Sequence, residues 1–113
     1  MSEWRVLIFL LVASTTLIHI SDARGFTLWA NSDFNGESRE MQCTDFECHN
    51  FDSFNDVASS INTQGGCVAL FENGDCNGRR VILKPGCELG ECCKHSNFES
   101  CGFNDQASSF ACC

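Results

Sequence analysis

The chain has 113 residues, with 15 acidic against 7 basic side chains and a formal net charge of −8. That balance lacks the basic face a phosphate backbone requires, which excludes nucleic acid as a partner, and it argues against cationic amphipathic attack on membranes. Ten cysteines in so short a chain mark a disulfide scaffold, where a small core needs covalent help.

In chain order, Arg5 precedes an apolar run from Val6 to Ile18, and Ser21-Asp22-Ala23 places small residues at the −3 and −1 positions of a cleavage after Ala23. Charged start, apolar middle and small-residue end predict a secretory signal peptide over residues 1–23. The run falls short of the roughly 20 residues that span a bilayer. The expected mature chain, residues 24–113, is a single secreted, extracellular domain of six basic against thirteen acidic side chains, or −7, with no transmembrane segment after cleavage. It holds every cysteine: Cys43, Cys48, Cys67, Cys76, Cys87, Cys92, Cys93, Cys101, Cys112 and Cys113. Outside the cytosol such thiols oxidise, and the even count allows five bridges whose pairing spacing alone leaves open. Cys92-Cys93 and Cys112-Cys113 are expected to bond to other partners, because sequence neighbours rarely reach disulfide geometry.

Phe26-Thr27-Leu28-Trp29 and Val68-Ala69-Leu70-Phe71 are short apolar runs of strand type. Asn, Asp and Gly follow each, residues that favour turns and tolerate left-handed backbone. Arg79-Arg80-Val81-Ile82-Leu83 then predicts a return strand ended by Pro85-Gly86, making a hairpin. A further short strand per copy is expected within Val57 to Ile61 and Gln106 to Cys112. No mature stretch shows helical periodicity, so the fold class is all-β, with two packed sheets.

The chain also repeats itself. Phe54-Asn55-Asp56-Val57-Ala58-Ser59-Ser60-Ile61 matches Phe103-Asn104-Asp105-Gln106-Ala107-Ser108-Ser109-Phe110 at an offset of 49. Upstream, Trp29 to Gly36 matches Phe71 to Gly78 at an offset of 42, so the second copy carries seven additional residues. Two phrases in the same order define two copies, about 26–61 and 67–113.

At these residues the chain resembles the βγ-crystallin family, whose Greek-key motif reads aromatic, four residues, aromatic, one residue, glycine. Trp29, Phe34 and Gly36 match fully; Phe71 and Gly78 match, with Cys76 in place of the second aromatic. That replacement is expected to exchange an aromatic corner for a disulfide. The family's calcium-binding members carry a loop Asn/Asp-Asn/Asp-x-x-Ser/Thr-Ser, which both repeated phrases fit at every position. The resemblance, over residues 26 to 113, implies two Greek-key motifs forming a disulfide-stapled two-sheet sandwich of eight strands. It further implies two calcium sites, each where the loop of one copy meets the hairpin of the other. Side-chain oxygens would come from Asp56, Ser59, Asp105 and Ser108, and carbonyls from Val57, Gln106, Ser32 and Gly74. Asn55 and Asn104 would shape the sites or contribute directly. The chemistry agrees, since calcium takes six to eight oxygen ligands, backbone carbonyls among them. One carboxylate per loop points to affinities on the order of 10⁻⁶ to 10⁻⁴ M.

No catalytic set is present, and the chain is not expected to be an enzyme. No Gly-x-Ser-x-Gly elbow or Gly-rich phosphate loop occurs, and paired cysteines offer no nucleophilic thiolate. Cys48-His49 and Cys92-Cys93-Lys94-His95 fit no structural zinc spacing. The expectation is a secreted calcium-binding protein with a binding or structural role. A secreted effector, such as a venom toxin, antimicrobial protein or protease inhibitor, is the alternative. The stretch around Lys94 and His95, held among four cysteines, is the candidate surface for an extracellular protein or cell-surface target.

Overall fold

The computed structural model describes residues 24–113, and the predicted signal peptide lies outside these. Among the described residues seven strands are present: β1 Arg24–Asn31, β2 Asn35–Cys43, β3 His49–Asn50, β4 Ser60–Asn62, β5 Val68–Asn73, β6 Asn77–Leu83 and β7 Ser109–Cys112. They form two antiparallel sheets of order β2-β1-β4 and β3-β7-β5-β6. β3 therefore leaves its own copy and pairs with β7 of the other, the crossing that makes the first copy a Greek key.

Apolar residues at alternate positions close the space between the sheets. Phe26 and Leu28 of β1, Val68 and Leu70 of β5, Val81 and Leu83 of β6 and Phe110 of β7 are buried in one cluster. Phe51, Phe54, Phe98 and Phe103 join it from the connecting loops. Phe26 meets Phe110 edge-on, with ring centroids 5.0 Å apart.

The two hairpins share one local geometry. Asp33 and Phe34 in the first, and Asp75 and Cys76 in the second, all have φ between 56° and 60°. Gly36 and Gly78 then take φ of 87° and 82°, and a Cβ on either would stand 2.6 Å from the Nδ2 of Asn31 or Asn73. Positive φ and a close amide together explain the motif glycine. In each hairpin the strand register slips, between Trp29 and Asn31 and between Phe71 and Asn73. The bulges take Ala30 and Glu72 out of the ladder.

Where the family pattern implies an eighth strand, the described chain has only a segment around His95. It lies against β4 through Ile61 N to His95 O at 2.8 Å and Phe98 N to Ser59 O at 2.9 Å. The reason lies in the longer second copy. Residues 84–92 first loop round and come to lie beside β6, with an antiparallel bridge from Lys84 to Cys87 and a parallel bridge from Ile82 to Cys92. Little extended chain is left to form a full strand on the first sheet.

All ten cysteines are bonded: Cys43–Cys112, Cys48–Cys76, Cys67–Cys113, Cys87–Cys92 and Cys93–Cys101. Both adjacent pairs split between different partners. Cys76 forms its bridge where the first copy has Phe34, whose ring packs edge-on against Trp29 with centroids 5.2 Å apart. The first two bridges join one copy to the other, and the last two staple the extended loop of the second.

Candidate metal centre

The repeated Asn-Asp-x-x-Ser-Ser loops meet each other across the two copies. Asp56 N donates to Ala107 O at 2.9 Å, and Asp105 N donates to Ala58 O at 3.0 Å. Asp56 and Asp105 both hold left-handed backbone, φ 59° and 55°, a conformation that Asp tolerates better than most residues. Each carboxylate reaches the first serine of the opposite loop. Ser59 Oγ lies 3.0 Å from Asp105 Oδ1, and Ser108 Oγ lies 3.0 Å from Asp56 Oδ1.

Each serine is in turn fastened to the hairpin of its own copy. Ser59 N donates to Trp29 O at 2.8 Å, and Ser108 N donates to Phe71 O at 2.9 Å. Two clusters with the same serine–aspartate pairing result. One joins Ser59 and the β1–β2 hairpin to Asp105; the other joins Ser108 and the β5–β6 hairpin to Asp56. Loop and hairpin of opposite copies are thus brought together, through the aspartate of one and the serine of the other.

The second serine of each phrase has a different task. Ser60 Oγ donates to Asn31 O at 2.7 Å and accepts from Phe34 N at 3.1 Å. Ser109 Oγ donates to Asn73 O at 2.6 Å and accepts from Cys76 N at 2.9 Å. Both hydroxyls are buried, and each clamps the hairpin with one donated and one accepted bond.

Ser59 is differently placed. Its Oγ lies 2.8 Å from Ala30 O as well as 3.0 Å from Asp105 Oδ1. A hydroxyl has one proton, while a carbonyl and an ionised carboxylate only accept. Three oxygens therefore converge, and two acceptors share a single hydroxyl proton. A hard cation placed among them would be met by all three, because each is an oxygen ligand of the kind calcium takes. The donor set fits the metal. The Ala30 carbonyl is available because the bulge removes it from the ladder.

The remaining predicted positions fall around these clusters. Val57 packs against the core and Gln106 is half-buried, each two residues before its loop's first serine; Asn55 is exposed and Asn104 half-buried. Ser32 O accepts from Asn35 Nδ2 at 3.3 Å, and Gly74 O accepts from Asn77 Nδ2 at 3.3 Å, so the hairpin asparagines close their own turns on both carbonyls. Ser32 Oγ lies 3.4 Å from Asn97 Oδ1. Among hairpin carbonyls it is Ala30, rather than Ser32, that reaches the serine–aspartate pair. A backbone oxygen has no sequence signature beyond the bulge that frees it. Among the described residues no three His, Cys, Asp or Glu side chains converge.

Comparison with known proteins agrees with this architecture. A family model described as Beta/Gamma crystallin matches residues 25–112. No curated protein sequence matches. Among solved structures, a βγ-crystallin from an archaeon is 25% identical, covering 80% of this chain and 99% of that one at a TM-score of 0.61. The βγ-crystallin of Ciona intestinalis is also 25% identical, covering 79% and 99% at a TM-score of 0.61. A βγ-crystallin domain from Clostridium beijerinckii, 14% identical over 79% and 97% with a TM-score of 0.60, shares the fold. With two Greek keys, two matching loops and a family model spanning both, the chain belongs to the Beta/Gamma crystallin family.

Proposed function

We propose that residues 24–113 are a secreted, extracellular calcium-binding βγ-crystallin domain with two sites and a binding or structural role rather than a catalytic one. The observation that carries the reading is the crowding at Ser59, where Ala30 O, Ser59 Oγ and Asp105 Oδ1 share one proton. Asp105, Ser59 and the carbonyls of Ala30 and Val57 would hold one ion. Asp56, Ser108 and the carbonyls of Glu72 and Gln106 would hold the other, with Asn55 and Asn104 shaping the loops. Glu72 occupies in the second hairpin the bulge position that Ala30 has in the first. Bound calcium would supply charge to tie the copies together.

The test is calorimetric titration of the oxidised protein, recovered from a secreting host and stripped with chelator, against calcium. Two saturable sites are expected, with Asp105→Ala removing one and Asp56→Ala the other. Absence of heat from a protein that circular dichroism shows to be folded would overturn the reading. A second reading, a secreted effector, is favoured by the doubly stapled loop of the second copy. Activity on cells, microbes or proteases that persists in the doubly substituted protein would support it.

A further inference from the structure

The chain has only two lysines, and both line one cleft. Lys84 and Lys94 flank a depression of about 290 Å³ together with Phe34 and His95. A smaller hollow of about 180 Å³ continues from Phe34 and His95 to Trp29 and Ile61. The arginines Arg39, Arg79 and Arg80 are engaged elsewhere: with Glu37, with the carbonyls of Cys101 and Gly102, and with Glu91. Neither lysine has a carboxylate at ion-pair distance among the described residues, and Glu88 is the one acidic residue in the cleft lining. In a molecule of strongly negative charge, this is a local cationic spot beside an apolar wall.

The walls are fixed in advance. Cys87–Cys92 and Cys93–Cys101 close the loop on itself, and Ile82 N to Glu91 O and Cys93 N to Ile82 O lash it to β6. Asp33 N to Ser96 O, at 2.8 Å, ties the same loop to the first hairpin. His95 Nε2 donates to Lys84 O at 3.2 Å, which holds the ring and leaves Nδ1 for a ligand. Phe34 is 45% exposed and held edge-on to Trp29. A site built this way loses little conformational entropy when occupied. Pockets with an apolar body and a few fixed polar groups are the usual form of ligand sites.

Two unpaired ammonium groups call for carboxylates, and the adjoining Phe34 and Trp29 call for an apolar group beside them. A long polyanion would be opposed by the net negative charge of the molecule, so charge complementarity favours a short acidic segment. We propose that this cleft binds an acidic peptide segment, with carboxylates on Lys84 and Lys94 and a neighbouring apolar side chain against Phe34 and Trp29. The site stands apart from the calcium reading and does not depend on it.

The test is a nuclear magnetic resonance titration of the isotope-labelled oxidised protein with the amidated, acetylated peptide Glu-Phe-Glu. Saturable shifts are expected at Phe34, Lys84, Lys94 and His95, with binding about tenfold weaker or more in Lys84→Glu with Lys94→Glu. Melting temperature checks that this exposed double variant is folded; if it is not, Lys84→Gln with Lys94→Gln takes its place. Equal shifts with the peptide Gln-Phe-Gln, no saturable shifts, or binding untouched by the lysine substitutions would overturn the proposal. So would saturable binding of a sulfated disaccharide in place of the peptide, which would make the cleft a glycan site.

Discussion

Ser59 and Ser60 are neighbours and both buried, yet their hydroxyls answer to different partners. Ser60 has one donor contact and one acceptor contact, both to the backbone of the first hairpin. Removing it leaves a buried carbonyl and amide unpaired, so Ser60→Ala should cost about 1–2 kcal/mol with or without calcium. Ser59 faces two acceptors with one proton. Ser59→Ala should therefore cost less in metal-free protein, but should abolish the thermal gain from calcium at that site. Denaturant titrations of both variants, with calcium and with chelator, check this. Equal calcium responses in the two would show that the serines do not divide their labour as the hydrogen bonds indicate. Asp45 is a smaller case of the same logic. The hydrogen bond from His49 and then the amide of Glu47 hold its carboxyl below the usual range, so whatever it contributes to stability is present above ordinary carboxylate pKa values and is lost as pH falls through its lowered one.

The hairpin is the element on which both clusters are built, and the two hairpins are braced differently. The first is closed by the Trp29–Phe34 aromatic corner and by the stapled loop through Ser96. The second is held by Cys48–Cys76 and by Asn50, whose amide takes Asp75 N at 2.7 Å and gives to Asp75 Oδ1 at 3.1 Å. Replacing that bridge, Cys48→Ser with Cys76→Ser, should weaken calcium at the Asp56–Ser108 site about tenfold, since site rigidity tunes affinity, and leave the Asp105–Ser59 site unchanged. Calorimetry resolving two binding events is the check, and equal weakening of both sites would mean the bridge acts on the whole fold. Much of this element was legible in the sequence. Asn, Asp and Gly at the same spacing after two apolar runs marked both hairpins, and adjacency alone argued that Cys92 and Cys93 would part. The bulge carbonyl of Ala30 was not legible, because a backbone oxygen is exposed by register rather than by side-chain identity. The missing eighth strand was not legible either: the seven additional residues could be counted, but their passage beside β6 depends on backbone bonds from Ile82 to Glu91 and Cys93, outside the repeated phrases.

At the scale of the whole molecule, the copies exchange parts instead of merely stacking. β3 pairs with β7, the loop backbones bond to each other, and Cys43–Cys112 and Cys48–Cys76 run between copies. Bridges of this kind close long loops, whereas Cys87–Cys92 closes a separation of only 5 residues against 69 for Cys43–Cys112. Chain-entropy arithmetic makes the long bridge worth about 4 kcal/mol and the short one about 2 kcal/mol. A domain of this size has only about 5–10 kcal/mol in total, so losing the long bridge removes a large share. On the proposed reading calcium would act across the same seam, since each cluster takes its carboxylate from one copy and its serine from the other. At ten times the dissociation constant it adds about 1.4 kcal/mol per site, or about 5–10 °C in melting temperature. The two devices should therefore substitute for each other. Cys43→Ser with Cys112→Ser should be marginal in chelator and recover about 10–20 °C when calcium fills both sites. Cys87→Ser with Cys92→Ser should stay folded in either buffer. Thermal melts of the four combinations decide it. A long-bridge variant that melts at one temperature regardless of calcium would separate the metal from the joining of the copies.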